Sequence, residues 1–126
     1  LQEIREILEE NAKLVGSTQF LGVYGLSYEL HPNAPPGRRV QNLRLADGSR
    51  PHARKRFRVA MNSFALASGG GRFPLLREIV EKPESRLEMT DIDTRTAVVE
   101  YVRKHSPLRI EAGDGVTVIR REESMR

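Results

Sequence analysis

The sequence predicts an α+β domain, a mixed and largely antiparallel sheet with helices packed on it. Three observations point there. Apolar residues recur at helical spacing near both ends, as in Leu1, Ile4 and Leu8 and again in Ala97, Val98, Tyr101 and Val102. Between them, Leu26-Ser27-Tyr28-Glu29-Leu30 and Phe57-Arg58-Val59-Ala60-Met61 alternate with the period of a strand. The connections are short and rich in turn residues, notably Asp47-Gly48, a hairpin signal because both residues tolerate positive φ.

Taken in order, Leu1 to about Val15 reads as an amphipathic helix with Gly16 as its stop. Phe20 to Leu30 follows; its second half, Leu26, Tyr28 and Leu30 against Ser27 and Glu29, is strand-like, while Gly22 and Gly25 weaken the first half and suggest a bulge or close approach. His31 to Gly37, with three prolines, is a loop. Arg38 to Ala46 is the next strand, with Leu43 and Leu45 inward. After the Asp47-Gly48 turn, Arg56 to Met61 alternates cleanly without proline and is expected at the centre of the sheet. Pro74 suits the first turn of a helix running to about Glu81. Glu84 to Thr90 is expected to be exposed. Asp93 can cap a helix from Thr94 to about His105, stopped by Pro107, with Ala97, Val98, Tyr101 and Val102 on its inner face. Leu108–Ile110 and Val116–Ile119 read as short strands around a glycine turn, and Arg120–Arg126 as a frayed tail.

The chain's 126 residues suffice for one domain with a single core. Hydrophobic residues make up 38% and charged residues 30%, the balance of a globular chain, and no apolar run approaches the ~18 residues of a membrane span. Cysteine is absent, which removes disulfides, thiolate nucleophiles and thiolate metal sites. The formal charge of +4 suits an anionic partner, but both signs are interspersed, and nucleic-acid binding is not the favoured reading. The chain starts within a helical pattern without Met, which suggests a piece of a longer protein.

No self-contained catalytic centre is visible. His31, His52 and His105 are scattered, the first two in loops and the third at a helix end, and are read as surface residues. Asp93 is explained by capping, and Asp91 by solvation. No G-x-S-x-G elbow is present, and Ser63, Ser68 and Ser106 have no neighbouring base in the sequence. The basic run of Arg50, His52, Arg54, Lys55, Arg56 and Arg58 could contact phosphates, while alternation would place Arg56 and Arg58 on a solvated sheet face.

The stretch from Asn62 to Pro74 stands apart. A strand pattern breaks into Gly69-Gly70-Gly71, and a helix begins at Pro74. Glycines permit positive φ and close approach. Phe64 lies in this loop, with no obvious core to join. It is either a plug in a βα turn or an aromatic face in a ligand loop. A phosphate cradle is disfavoured, because the pattern is not G-x-x-x-x-G-K-[ST] and no lysine follows the glycines.

Several motifs, in order, resemble the C-terminal substrate-binding domain of the 5′-nucleotidase family, which includes UDP-sugar hydrolases and 2′,3′-cyclic nucleotide phosphodiesterases. They are the leading helix with its Leu8-Glu9 pair, Phe20-Leu21-Gly22-Val23-Tyr24-Gly25-Leu26-Ser27-Tyr28, Pro36-Gly37-Arg38-Arg39-Val40, Asn62-Ser63-Phe64 followed by Gly69-Gly70, and the helix from Thr94 to Lys104 with its Tyr101-Val102 pair. The resemblance covers nearly the whole of residues 1–126 and implies the fold and role of that domain. It implies that Phe20 and Phe64 sandwich a nucleobase, that Asn62 makes a polar contact near it, and that Gly69, Gly70 and Gly71 approach the ribose. Flat rings stack on any base, at about 1–3 kcal/mol per base.

Catalysis in that family belongs to an N-terminal metallophosphoesterase domain with two divalent metal ions, which this chain lacks. The resemblance therefore implies no catalytic or metal-binding residue here, a nucleotide or nucleoside as substrate, and the metallophosphoesterase domain of the same polypeptide as partner. It also implies a periplasmic, cell-surface or secreted location. Two departures stand out. The family's Gly-Gly-Asp-Gly, whose Asp contacts the ribose, is here Gly69-Gly70-Gly71-Arg72, with one extra residue after Phe64. The family's Gly-Gly-Gly-Ile-Arg motif precedes the first helix and is missing, so the chain alone is expected to bind nucleotide poorly. The rival reading is a non-enzymatic module whose Arg50–Arg58 segment binds an anionic polymer, or a domain that only packs on a partner.

Overall fold

A computed structural model describes residues 1–109 and 115–120. The elements are α1 (Gln2–Ala12), β1 (Leu26–Leu30), β2 (Val40–Leu45), α2 (Ser63–Leu66), α3 (Pro74–Glu81), a 3₁₀ turn (Pro83–Ser85), α4 (Thr94–Lys104) and β3 (Val116–Val118). The fold is α+β. The sheet is mixed, in the order β2-β1-β3, with β1 antiparallel to β2 and parallel to β3.

Helix α1 is the hub, because it carries apolar residues on two sides. Leu8 and Ala12 face the sheet and pack with Tyr28, Leu30, Val40 and Leu43. Leu30, on the central strand, is fully buried. Ile7 and Leu14 lie against a second group formed by Ala65, Phe73 and Leu76, with Met61 and Val80 beside them. Beyond Ala12 the chain tightens into i→i+3 bonds, from Leu14 N to Asn11 O and from Val15 N to Ala12 O, before Gly16 takes a positive φ. In the β1–β2 pair, Ser27 faces Arg44 and Glu29 faces Gln41, so β2 carries one extra residue across a bulge. Asn42, at φ +51°, absorbs it, a conformation asparagine tolerates better than most residues.

Several expectations are corrected. The segment Arg56–Met61 is not a strand, and β1 occupies the centre of the sheet instead. Alternation does place Phe57 and Met61 half-buried, but it fixes only the faces of a segment. A strand also needs a ladder, and among the described residues no backbone group of Arg56–Met61 is hydrogen-bonded to another. By contrast, the strand-like second half of Phe20–Leu30 is β1, which begins at Leu26 after Gly25 at φ +87°. Helix α4 forms where expected, yet Ala97, Val98, Tyr101 and Val102 are all exposed, as is every residue from 81 to 109. Its amphipathic pattern is real, but no described element covers it. Leu108 and Arg109 are not in a strand, whereas Val116–Val118 is. Ile110, the connector at 111–114 and the expected tail at 121–126 lie outside the described residues.

Because α4 buries nothing, its ends carry much of its stability; an isolated helix of this length is marginal in water. Asp93 Oδ2 accepts from Thr96 N at 3.0 Å and from Thr96 Oγ1 at 2.9 Å. The backbone bond from Thr96, then its hydroxyl, lowers the Asp93 pKa below the ordinary aspartate value. A carboxylate whose pKa is depressed on folding stabilises above its unfolded pKa and ceases to do so as pH falls through the folded value. Helical signal from α4 should therefore decline below about pH 4. In Asp93→Asn, which caps without titrating, that acid step should disappear; residue-resolved NMR of α4 across pH 2–6 checks this.

Candidate functional site

The end of α1 holds three polar residues in succession, and each reaches a different part of the chain. Glu9 accepts from Val40 N at 2.7 Å and Gly37 N at 3.1 Å, fixing the Pro36-Gly37 loop at the entry of β2. Glu10 is buried, 7% exposed, and its two oxygens accept from Leu75 N at 2.9 Å and Leu76 N at 3.0 Å in the first turn of α3. Asn11, also buried, exchanges two bonds with the backbone of Leu21, at 2.8 and 2.9 Å. Beside Asn11, the Tyr28 hydroxyl is buried without a hydrogen-bond partner among the described residues; burial raises its pKa, and the neighbouring Asn11 side chain opposes that. One turn of helix thus positions the loop bearing Phe20, the turn before β2, and the helix that follows the glycines.

Sequence reasoning missed this arrangement, although a signal was there. Glu10 lies on the line Ile7–Leu14 and Asn11 on the line Leu8–Val15, so each polar residue interrupts an apolar stripe at i+3 and i+4 spacing. The same finding bears on the phosphate question. A helix leaves its first amides without backbone partners, and at the start of α3 those of Leu75 and Leu76 already hold a carboxylate, that of Glu10.

Phe64 sits in the one-turn helix α2 rather than in an irregular loop, and its side of the turn is open: the residue is 60% exposed. Asn62 is the cap of that turn. Its Oδ1 accepts from Ala65 N at 2.8 Å, which gives this side chain a structural task. Four consecutive residues then have positive φ: Ser68 at +81°, Gly69 at +54°, Gly70 at +71° and Gly71 at +89°. The loop is tied by Gly69 N to Phe64 O at 2.8 Å and by Phe73 N to Ser68 O at 2.9 Å.

Two glycines here are explained by what stands next to them. A Cβ on Gly69 would lie 2.6 Å from Cδ2 of the buried Phe73, and one on Gly70 would meet the Phe64 ring at 3.7 Å. Gly70 therefore lies beside the Phe64 ring, and Gly71 faces open space. Gly69→Ala should cost about 1–3 kcal/mol, since a buried ring must move. Gly71→Ala should cost only about 1 kcal/mol, from backbone conformation alone. Paired denaturant curves check the ordering.

Phe20 is placed differently. It is half-buried and packs against the core formed by α1 and the sheet, one residue before the Leu21 backbone held by Asn11. The groove along α1, of about 390 Å³, is lined by Arg5, Glu6, Glu9, Lys13, Gly37 and Arg39 among others and by neither Phe ring. His31 pairs with Glu29 at 3.0 Å, and Glu29 has its pKa lowered by the Asn42 amide first and by His31 second. His105 stacks on Tyr101 at 4.1 Å, and His52 is exposed. Among the described residues no three His, Asp or Glu side chains are grouped to hold a metal ion. Nor is any helix of the described residues long and apolar enough to cross a membrane.

Comparison with known proteins follows the same segments. No curated protein and no solved structure matches the chain. The family model described as 5′-nucleotidase, C-terminal domain, matches residues 2–78, from the start of α1 into α3. That span holds Phe20, the Pro36-Gly37 turn, Asn62, Phe64 and the glycine loop, and it is more than half of the sequence. The chain belongs to the 5′-nucleotidase C-terminal domain family.

Proposed function

We propose that this chain is the nucleotide-recognition domain of a metal-dependent nucleotide phosphohydrolase, and that Phe20 and Phe64 stack on the base of its substrate. Family membership supports the coarser reading, a nucleotide-binding domain of a 5′-nucleotidase-type enzyme with a catalytic domain as partner. The observation that carries the finer one is Phe64: a large ring, 60% exposed, held on a capped turn beside glycine backbone. An aromatic so placed gains little for the fold and is available to a flat ligand. Gly69, Gly70 and Gly71 would admit the ribose closely, with Asn62 at the edge through whatever its capping leaves free.

In this reading the chain binds and orients, while two divalent metal ions held by the partner domain would supply the activated water. Its location would be periplasmic, at the cell surface or secreted. The test is kinetic. Replacing Phe20 and Phe64 together by Ala in the enzyme that carries this domain should raise KM strongly, and an unchanged KM would sink the stacking assignment.

A further inference from the structure

Arg5 interrupts the stripe of α1 that packs on the sheet. It stands four residues after Leu1 and three before Leu8, in line with Ala12. It is half-buried, and among the described residues it makes no ion pair. Arg50 comes to the same place from a tight turn. Leu45 N donates to Ser49 O at 2.9 Å, and Asp47 Oδ1 accepts from Ser49 N at 2.9 Å and from Ser49 Oγ at 2.6 Å. Pro51 then restricts the backbone on both sides of the Arg50–Pro51 bond. The two arginines line one cavity of about 200 Å³, together with Asn42, Leu43 and Pro51.

Among the described residues no carboxylate lines this cavity. Glu29, which accepts from the Asn42 amide at 2.9 Å, is shared with His31 at 3.0 Å. Arg5 also borders the groove along α1, but there the Glu9 oxygens are taken by Val40 N and Gly37 N, and Glu6 accepts from Gln2. The neighbouring arginines have partners: Arg39 donates to Ala34 O, Arg44 to Gly48 O and Arg56 to Glu84 O. Arg5 and Arg50 are thus two like charges at one hollow, without an ion-pair partner among the described residues. Such a pair is unfavourable until an anion joins it.

We propose that this cavity is an anion site, in which Arg5 and Arg50 hold a phosphoryl group, as free phosphate or as the phosphate of a small ester. Guanidinium groups present forked donors that match phosphoryl oxygens two at a time. Leu43 and Pro51 supply an apolar wall beside them. The cavity is smaller than the roughly 300–1,000 Å³ that takes a drug-sized ligand, so its occupant is small. Phe20, Asn62, Phe64 and the glycine loop do not line it, so the site stands or falls independently of base stacking.

The test is NMR of this chain titrated with inorganic phosphate in exchange for chloride at constant ionic strength. The Nε–H signals of Arg5 and Arg50 and the amides of Asn42 and Leu43 should shift along one saturating curve. Arg5→Gln and Arg50→Gln should each weaken binding by about tenfold or more, as loss of hydrogen bonds to a charged group implies. Arg50 is exposed, so its variant should fold even if the Arg5 variant does not, which far-UV circular dichroism checks. Arg58→Gln, exposed and outside the cavity, should bind as the parent does. A parallel titration with methyl phosphate separates the sources. Tighter binding than inorganic phosphate supports an ester as the occupant, and equal or weaker binding supports the free ion. An Arg50→Gln chain that binds phosphate unchanged overturns the proposal, as does a parent chain that shows no shifts. Shifts that never saturate and spread to Arg54 and Arg58 make the segment a diffuse basic surface and overturn the site.

Discussion

Glu10→Ala is expected to be among the most destabilising single substitutions in this domain, at about 3 kcal/mol. The carboxylate is buried and accepts from two backbone amides at the start of α3, Leu75 N and Leu76 N. Hydrogen bonds to a charged group are worth about 1.5–3 kcal/mol, and a buried donor left unpaired costs its full desolvation. The N-terminal end of α3 adds a favourable interaction with negative charge. Glu10→Gln keeps the shape and one acceptor but turns an NH₂ toward the second amide, so about half the loss is expected. For a small domain with a total stability of about 5–15 kcal/mol, either change is large. Chemical denaturation reads it as a lower midpoint with an unchanged slope. The three bonds at Glu9, Glu10 and Asn11 also imply a shared consequence. Loss of Glu10 should disturb α3 and the glycine loop before it disturbs the sheet, because Glu9 and Asn11 still hold β2 and the Phe20 loop.

Phe64→Ala should separate binding from stability. The side chain is mostly exposed and lies outside both packed groups, so its removal should change folding by no more than about 0.5 kcal/mol. If the ring stacks on a base, its loss should cost about 1–3 kcal/mol of binding. That corresponds to about a 5- to 150-fold rise in KM, with kcat little changed, because stacking is made equally in the ground and transition states. Phe20→Ala should behave differently. Its ring packs against the core, so about 1–2 kcal/mol of stability should go with the affinity. Phe64→Tyr, which keeps the π face, should restore KM. A Phe64→Ala enzyme that loses stability but keeps its KM would make the ring a packing residue.

The elements legible in the sequence are those specified by local chemistry. Pro74 opens α3, Asp93 caps α4, and Leu26–Leu30 alternates into a strand. Each signal acts over a few residues, within reach of its own cause. What the sequence hid depends on distant partners. Arg56–Met61 alternates as well as β1 does, yet pairing is a property of two segments, and no described segment pairs with it. The α4 stripe predicts burial, but a stripe does not name what covers it. Glu9, Glu10 and Asn11 look like a solvated helix end; only the fold brings Gly37, Val40, Leu75 and Leu21 to them. The site shows the same division. The glycine run and Phe64 stand out by composition, whereas the capping task of Asn62 and the core packing of Phe20 appear only in three dimensions.

Nucleotide recognition by these rings is tested most directly by NMR of a nucleoside monophosphate bound to the enzyme that carries this domain, with the Phe ring protons isotope-labelled. Stacking predicts upfield shifts of the base protons, with cross-relaxation to the rings of both Phe64 and Phe20. The Phe64 contact and much of the shift should vanish in Phe64→Ala. A nucleotide that binds with its base protons unshifted and without contact to either ring would contradict the account.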